Sequence, residues 1–120
     1  MSDEPVSSSC LFCRIVAGEV PAEIVHSSDT LIAFRDINPG APTHLLLIPK
    51  EHVESIRELE DRHGGMLADI FQAAAHLARA EGVDEGGWRV VTNVGRGAGQ
   101  SVFHLHFQLL GGRPFSWPPG

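Results

Sequence analysis

One stretch of the sequence has the periodicity of a long helix, and this limits the folds that the chain can adopt. Residues 65–82, GMLADIFQAAAHLARAEG, place apolar side chains at helical spacing and end at a glycine suited to stopping a helix. The apolar stripe consists of Leu67, Ile70, Phe71, Ala74 and Leu77. The other segments are short and β-like, so the sequence predicts an α+β fold in which the helix packs on an antiparallel sheet.

Five runs with β-like composition surround this helix. They are AEIVHSS (22–28), TLIAFRDI (30–37), HLLLIPK (44–50), WRVVTNVG (88–95) and FHLHFQLLGG (103–112). A short helix is predicted in CLFCRIVAGEVP (10–21), because Gly18 and Pro21 would stop it. Residues 1–9 are polar and are predicted to be a disordered tail, and residues 10–120 are predicted to form a single domain.

The overall charge argues against several classes of partner. The 120-residue chain has a net charge of −6, whereas a protein that binds nucleic-acid polymers needs a basic face. No apolar run is long enough to cross a bilayer and no signal peptide is visible, so we expect a cytoplasmic protein that binds no membrane. In that compartment Cys10 and Cys13 would stay reduced.

The last β-like run carries an unusual polar face. Its apolar positions alternate as in a core-facing strand, but the opposite face carries His104, His106 and Gln108. Neutral imidazole can act as a nucleophile, a base or a metal ligand near neutral pH. The face is either a solvated strand surface or, as the spacing favours, a set of side chains that converge on one small ligand.

The loop before this run, GRGAGQS (95–101), has the composition of an anion site. Glycine backbones can turn their N–H groups toward a phosphate, and Gln100, Ser101 and the upstream Asn93 add side-chain donors. A glycine-rich loop by itself is equally well explained as a plain connection between strands. Its position directly before two histidines favours a site where a phosphate is held while histidine attacks phosphorus.

These segments together resemble the histidine-triad (HIT) superfamily. GQSVFHLHFQLLGGRP followed by WPPG is similar to its His-x-His-x-His motif, and CLFCRIVAGEVPAEIV, LIAFRDINPGAPTHLLLIPKEHV and WRVVTNVG resemble its nucleotide-binding (Hint) branch. The resemblance covers nearly the whole chain from Cys10. It implies a HIT-like α+β fold with one long and one short helix, and a five-stranded antiparallel sheet extended across a homodimer. It also implies hydrolysis or nucleotidyl transfer on purine nucleoside phosphoramidates.

The resemblance assigns roles to individual residues. His106 corresponds to the nucleophile that forms a nucleotidyl-histidine intermediate, and His104 and His44 complete the histidine cluster. Asp36 would hold the ribose hydroxyls, although its place before Asn38-Pro39 is also typical of a turn residue. The base pocket would be formed by Phe12, Ile15, Ile37 and Leu46, although each of these taken alone is better explained as ordinary core and enters only through the resemblance. The phosphate-binding positions would be Asn93, Gly99, Gln100 and Ser101.

Gln108 departs from the family motif, which has its third histidine there. An amide can bind a phosphate but cannot shuttle a proton. Related uridylyltransferases and dinucleoside polyphosphate phosphorylases also use His-x-His-x-Gln, so nucleotidyl transfer remains compatible with this sequence. Two alternatives therefore stay open, a dinucleoside polyphosphate hydrolase or phosphorylase and a catalytically weak nucleotide-binding regulatory dimer.

Cys10-x-x-Cys13 has the spacing of half a zinc site. By resemblance to bacterial HIT proteins, His52 and His104 would complete a structural site, and catalysis would require no cofactor. The alternative is a pair of reduced, metal-free thiols.

The proline-rich tail RPFSWPPG (113–120) has no strand to join, and Trp117 is an apolar side chain that is costly to expose. By resemblance, each tail of a homodimer would lie across the partner near its nucleotide site.

Overall fold

A computed structural model describes residues 9–120 and contains one five-stranded antiparallel sheet. The strands in chain order are β1 (Ile24–Ser27), β2 (Leu31–Arg35), β3 (Thr43–Pro49), β4 (Trp88–Val91) and β5 (Phe107–Gly111). Their order across the sheet is β1-β2-β3-β5-β4, and every neighbouring pair is antiparallel. The predicted fold class is therefore confirmed, with each strand shorter than the run that indicated it. The predicted disordered tail falls, apart from Ser9, outside the described residues.

Two α-helices accompany the sheet. Helix α1 (Leu11–Val16) begins where the Cys10 sulfur accepts a hydrogen bond from the Cys13 backbone N–H, and it is followed by Gly18 at φ +78°. Helix α2 (Gly64–Ala80) is the predicted long helix. Its buried side chains are Ile70, Ala73, Ala74, Leu77 and Ala78. Phe71, predicted to lie on the buried stripe, is 49% exposed within a single chain.

The sheet has an apolar layer on each face, because successive side chains of a strand point to opposite sides. Leu45, Leu47 and Leu109 face α2 and belong to the larger core cluster. Phe34, Leu46 and other side chains on the opposite face pack with α1 in a second cluster. This second face also carries His106 and Gln108, so α1 and the polar residues share one side of the sheet.

Strand β5 begins later than the sequence predicted, at Phe107, so His104 and His106 precede it. The strand pairing places Leu47 opposite Phe107, and two residues further along the partner would be Pro49, which has no N–H to donate. Instead, the Leu105 N–H donates to the Val53 carbonyl at 2.6 Å. The chain therefore leaves the ladder at the two histidines, although both rings stay on the α1 side of the sheet, where each meets Phe12 edge-to-face.

Three short 3₁₀ turns, Ile56–Glu58, Asp61–His63 and Arg96–Ala98, were not predicted. The tail after Gly111 contains no regular element, as predicted. In the described part of the chain, no helix has both the length and the apolar character needed to cross a bilayer.

Candidate functional site

A cleft of about 470 Å³ opens on the α1 face of the sheet. Its volume is that of a small-molecule site. One wall is apolar, and the other carries a carboxylate, an imidazole and an amide. The sequence-predicted residues that line it are Phe12, Ile15, Asp36, Ile37, Leu46, Gly99, Ser101, His106 and Gln108.

Several residues of the cleft were missed by the sequence reading. Phe34 faces it from β2 and meets Phe12 edge-to-face, with ring centroids 5.5 Å apart. Val20 lines the cleft from the loop before β1, and Asn38 lines it from the loop after β2. The alternation of Leu31–Arg35 could have indicated Phe34, whereas nothing in the sequence marks the loop positions. Ile37 is 90% exposed and forms part of the rim, so the core alternative for this residue is excluded.

The neutral ring of His106 is held in one tautomer by the backbone carbonyl of His104. Its Nδ1 lies 2.8 Å from the His104 carbonyl oxygen, which can only accept, so Nδ1 carries the proton. Nε2 is then the unprotonated nitrogen. Thr92 fixes the backbone by donating from Oγ1 to the His106 carbonyl at 2.8 Å, and Phe12 packs edge-to-face on the ring at 5.1 Å. The result is a positioned imidazole with one available lone pair.

Asp36 follows β2 and forms an Asx turn. Its Oδ1 accepts the Asn38 backbone N–H at 2.8 Å, as expected for the turn alternative. Its Oδ2 lies 3.5 Å from His44 Nε2, and the residue lines the cleft. The turn therefore orients a carboxylate that still has acceptor capacity toward the cavity.

His44, Gln108 and Asn93 form a connected set of hydrogen bonds beside the cleft. His44 Nε2 lies 2.9 Å from Gln108 Oε1, and Gln108 Nε2 donates to Asn93 Oδ1 at 3.0 Å. His44 and Gln108 can meet because β3 and β5 pair Leu46 with Gln108, which makes them diagonal neighbours on one face. Of these three residues only Gln108 lines the cleft.

The glycine-rich loop borders the polar wall of the cleft. Gly95 and Gly99 have φ values of +85° and +91°, in the region where glycine is favoured, and they flank the turn Arg96–Ala98. Gly99 and Ser101 line the cleft.

Gln100 differs from the expectation that it offers side-chain donors to a phosphate. Its side chain is buried, its Nε2 donates to the Glu54 and Val102 carbonyls, and its Oε1 accepts from the Gly95 N–H. Its own backbone N–H donates to the Gly95 carbonyl. This residue therefore closes the loop rather than facing the cleft.

A second cluster lies beside the first and consists of Cys10, Cys13, His52 and His104. The sulfur of Cys13 is 3.1 Å from His52 Nδ1 and 3.5 Å from His104 Nδ1, the Cys10 sulfur is 3.4 Å from His104 Nδ1, and the two Nδ1 atoms are 3.3 Å apart. A tetrahedral zinc ion with ordinary bond lengths requires sulfur–nitrogen separations of about 3.6 Å and nitrogen–nitrogen separations of about 3.3 Å. The donor set and its spacing fit zinc.

His104 belongs to this cluster and not to the cleft, which corrects the expectation that it converges with His106 and Gln108 on one ligand. Its side chain is fully buried, and its Nε2 donates to the Pro49 carbonyl at 2.8 Å, leaving Nδ1 toward the sulfurs. Burial lowers the pKa of His104 to about 4, although the Pro49 hydrogen bond opposes part of that shift. A neutral imidazole held by a carbonyl on its far nitrogen is the usual form of a metal-bound histidine.

Trp117 lies outside the cleft of its own chain and is 83% exposed. Arg89 of β4 holds the tail by contacting the Phe115 ring at 5.0 Å, and Arg113 contacts the same ring at 4.3 Å while its Nε donates to the Gly40 carbonyl at 3.0 Å. Arg89 also lies within 3.3 Å of the Ser116 carbonyl. Sequence reading missed the Arg89 contact because an arginine–aromatic pair between two distant segments leaves no local pattern.

An antiparallel sheet with this order, carrying a histidine just before β5 and beside a glycine-rich loop, defines a class of protein. Residues 9–113 match the family model described as "Scavenger mRNA decapping enzyme C-term binding". A HIT family hydrolase from Legionella pneumophila Philadelphia 1 has the same fold with a TM-score of 0.91 and 52% identity, covering 93% of this chain and 100% of that one. The chain belongs to the HIT superfamily.

Two relatives narrow the position of the chain within that superfamily. The purine nucleoside phosphoramidase of Escherichia coli K12 is 39% identical over 109 residues, covering 91% of this chain and 92% of that protein. The 14 kDa zinc-binding protein of Zea mays is 43% identical over 115 residues, covering 94% of this chain and 89% of that protein. The chain is thus homologous to a phosphoramidase and to a zinc-binding protein.

Proposed function

We propose that this protein hydrolyses purine nucleoside phosphoramidates or related nucleotide conjugates through a nucleotidyl-histidine intermediate. The observation that carries the proposal is the unprotonated Nε2 of His106 in the cleft, because Nδ1 donates to the His104 carbonyl. Nε2 attacks the α-phosphorus, a P–N bond to the ring forms, and the bond to the leaving group breaks, so that the leaving group departs with the electron pair and takes a proton from water. A water molecule then attacks phosphorus, restores the imidazole and releases the nucleoside monophosphate.

The two walls of the cleft suit the two ends of a nucleotide. Phe12, Phe34 and Leu46 form an apolar slot for a planar base, and the Asp36 carboxylate can accept from two vicinal ribose hydroxyls. Gly99 and Ser101 border the region next to His106, where the phosphate would lie. The homologous E. coli protein is named a purine nucleoside phosphoramidase, which supports the same substrate class.

We also propose that Cys10, Cys13, His52 and His104 hold a structural zinc ion, as the donor distances and the zinc-binding relatives support. When bound, zinc would supply a cross-link between the start of α1, the segment after β3 that carries His52 and the segment before β5 that carries His104. The residues then act on the reaction through one contact. The side chain of His104 is held in the cluster, and its backbone carbonyl accepts the hydrogen bond from the Nδ1–H of His106.

Gln108 keeps a second substrate class open. An amide cannot protonate a departing amine. A dinucleoside polyphosphate has a phosphate as its leaving group and therefore does not require a general acid at this position. The third possibility, a nucleotide-binding regulatory dimer, would bind nucleotide without turnover. A cytoplasmic location is part of the same proposal and follows from the reduced thiols that the zinc cluster needs.

Comparison of two model substrates tests the proposal. The protein is incubated with an adenosine phosphoramidate carrying an alkylamine and, separately, with a dinucleoside polyphosphate, and product nucleotide is measured by chromatography. We expect phosphoramidate turnover that His106→Ala abolishes while nucleotide binding, measured by calorimetry, persists. Turnover of the polyphosphate alone favours the second class. Tight nucleotide binding with turnover of neither substrate favours the regulatory dimer.

A further inference from the structure

Three side chains connect the backbone of the loop between β2 and β3 to the backbone of the glycine-rich loop. The chain of contacts starts at the Gly40 N–H, which donates to His44 Nδ1 at 2.9 Å, and continues from His44 Nε2 to Gln108 Oε1 at 2.9 Å. Gln108 Nε2 then donates to Asn93 Oδ1 at 3.0 Å. The last link runs from Asn93 Nδ2 to the Ala98 carbonyl at 2.8 Å.

Each link in this chain has only one possible direction, because both ends are backbone groups with fixed roles. The Gly40 N–H can only donate, so His44 Nδ1 must accept and His44 Nε2 carries the proton. The Ala98 carbonyl can only accept, so Asn93 turns its NH₂ to it and its oxygen to Gln108. The Gln108 amide is therefore fixed from both sides, with its oxygen toward His44 and its NH₂ toward Asn93.

The amide NH₂ of Gln108 has two donors, and Asn93 accepts only one of them. Gln108 lines the cleft beside His106, so the second donor is the one able to meet a phosphoryl oxygen there. Such a donor gains strength as negative charge develops on phosphorus oxygens during attack. If the amide group were rotated by 180°, its oxygen would face the developing negative charge and oppose the reaction.

We propose that Asn93 is a positioning residue that acts on the reaction through Gln108, and not a phosphate ligand. Asn93 itself does not line the cleft, and both of its side-chain polar atoms are engaged, one by Gln108 and one by Ala98. This inference rests on the proposed function for its kinetic consequence, but the orientation of Gln108 can be measured without turnover.

The kinetic test is a double-mutant cycle of Asn93→Ala and Gln108→Ala with the adenosine phosphoramidate. Asn93→Ala should lower kcat by about 10- to 100-fold and leave KM and the Kd for adenosine monophosphate unchanged. The double variant should be no slower than Gln108→Ala, because Asn93 has no function without the amide. A weaker Kd with unchanged kcat, or two effects that multiply, would overturn the proposal.

The second test reads the Gln108 amide directly by ¹⁵N NMR and applies to an inactive protein as well. The side-chain NH₂ pair of Gln108 is assigned by its loss in Gln108→Ala. In Asn93→Ala this pair should move toward the position of a solvent-exposed glutamine and exchange faster with water. In Asn93→Asp, which keeps an acceptor but cannot donate to Ala98, the pair should stay near its original position.

The NH₂ pair of Gln100 serves as the internal control, because Gln100 is bound to the Glu54 and Val102 carbonyls and does not contact Asn93 in any described hydrogen bond. Its resonances should not change in either Asn93 variant. If they collapse together with those of Gln108, Asn93 supports the loop as a whole and the proposal is wrong. An unchanged Gln108 pair in Asn93→Ala overturns it equally. Absence of turnover in the unmodified protein would instead refute the proposed function.

Discussion

His104 and His106 are two residues apart, yet their rings lie in opposite surroundings. His104 is fully buried among two sulfurs and a second imidazole, and its burial keeps the ring neutral by lowering its pKa to about 4. His106 is half-buried at the edge of the cleft and leaves Nε2 without a proton. The backbone carbonyl of His104 fixes the ring of His106. His104 therefore positions His106, and the two rings do not act together on one ligand.

Gln108→His tests whether proton delivery to the leaving group limits the reaction. If it does, an imidazole at position 108 should raise phosphoramidate hydrolysis and add an ionisation at about pH 6.5 to the profile of kcat/KM against pH. Steady-state rates of the variant and the unmodified protein across that range provide the measurement. An unchanged or lower rate would mean that the leaving group needs no acid, and the phosphate-leaving class would then replace the phosphoramidates.

At the scale of elements, the sequence predicted the features that depend on local alternation and helical periodicity of apolar residues. The five strands and the long helix follow from local apolar spacing, and alternation placed Leu105 and Phe107 correctly in the core. The place of His104 in the cluster with Cys10, Cys13 and His52 was predicted from the family resemblance and not from alternation, which assigns His104 and His106 to one polar face. The late start of β5 was not predicted, because the next position in register lies opposite Pro49 of β3, which has no N–H to donate and is far away in the sequence.

The zinc proposal makes a prediction about helix α1. This helix has only six residues and begins at the Cys10 sulfur, so its stability should depend on the cluster. Removal of zinc by a chelator should increase amide hydrogen exchange in α1 before it increases exchange in α2. Elemental analysis of protein purified without chelator should show up to one zinc per chain, and Cys13→Ser should lower that value. Absence of zinc from protein grown in zinc-supplemented medium would contradict the site.

The ion pair between β2 and the end of α2 predicts a pH dependence of stability. Arg35 binds Glu81 through two hydrogen bonds of 2.8 Å, and these contacts lower the pKa of Glu81. A lowered carboxyl pKa contributes stability above the pKa of the unfolded chain, and this contribution is lost as the pH falls through the folded value. Because Arg35 is 35% exposed, solvent screens the pair, and Glu81→Gln should lower the free energy of unfolding by about 0.5–1 kcal/mol at pH 7.

Urea denaturation measures this contribution when it is carried out at pH 7 and again at a pH below the pKa of Glu81 in the folded protein. The difference between Glu81→Gln and the unmodified protein should disappear at the lower pH. Glu23→Gln is the matched control, because Glu23 contacts the same Arg35 but its side chain is 72% exposed. It should cost less than Glu81→Gln at pH 7. An equal cost for both variants would mean that the exposed contact matters as much as the partly buried one.

At the scale of the whole molecule, we propose a homodimer formed from single domains of residues 10–120. Phe71 of α2 is 49% exposed while it packs edge-to-face on Phe107 at 5.1 Å, and Trp117 is 83% exposed. Both would be covered if α2 formed the interface and the tail lay across the partner. The contacts of Phe115 with Arg89 and Arg113 would then fix the direction in which the tail leaves its own chain.

Light scattering at micromolar concentration tests the assembly. We expect twice the mass of the 13.0 kDa chain. Deletion of residues 114–120 should change the preference between leaving groups while the dimer persists, because the tail is proposed to lie near the partner's cleft. A monomer, or a truncated protein with unchanged preference, would contradict this part of the account.

The central claim is that His106 forms a covalent bond to phosphorus, and intact-protein mass spectrometry tests it most directly. The protein is mixed with the adenosine phosphoramidate and quenched within the turnover time in denaturant at alkaline pH, because a phosphorus–imidazole bond is lost in acid. The account predicts a species heavier by one nucleoside monophosphate less water, mapped by peptide fragmentation to His106 and absent from His106→Ala. Turnover without any adduct across all quench times, or an adduct that persists in His106→Ala, would contradict it.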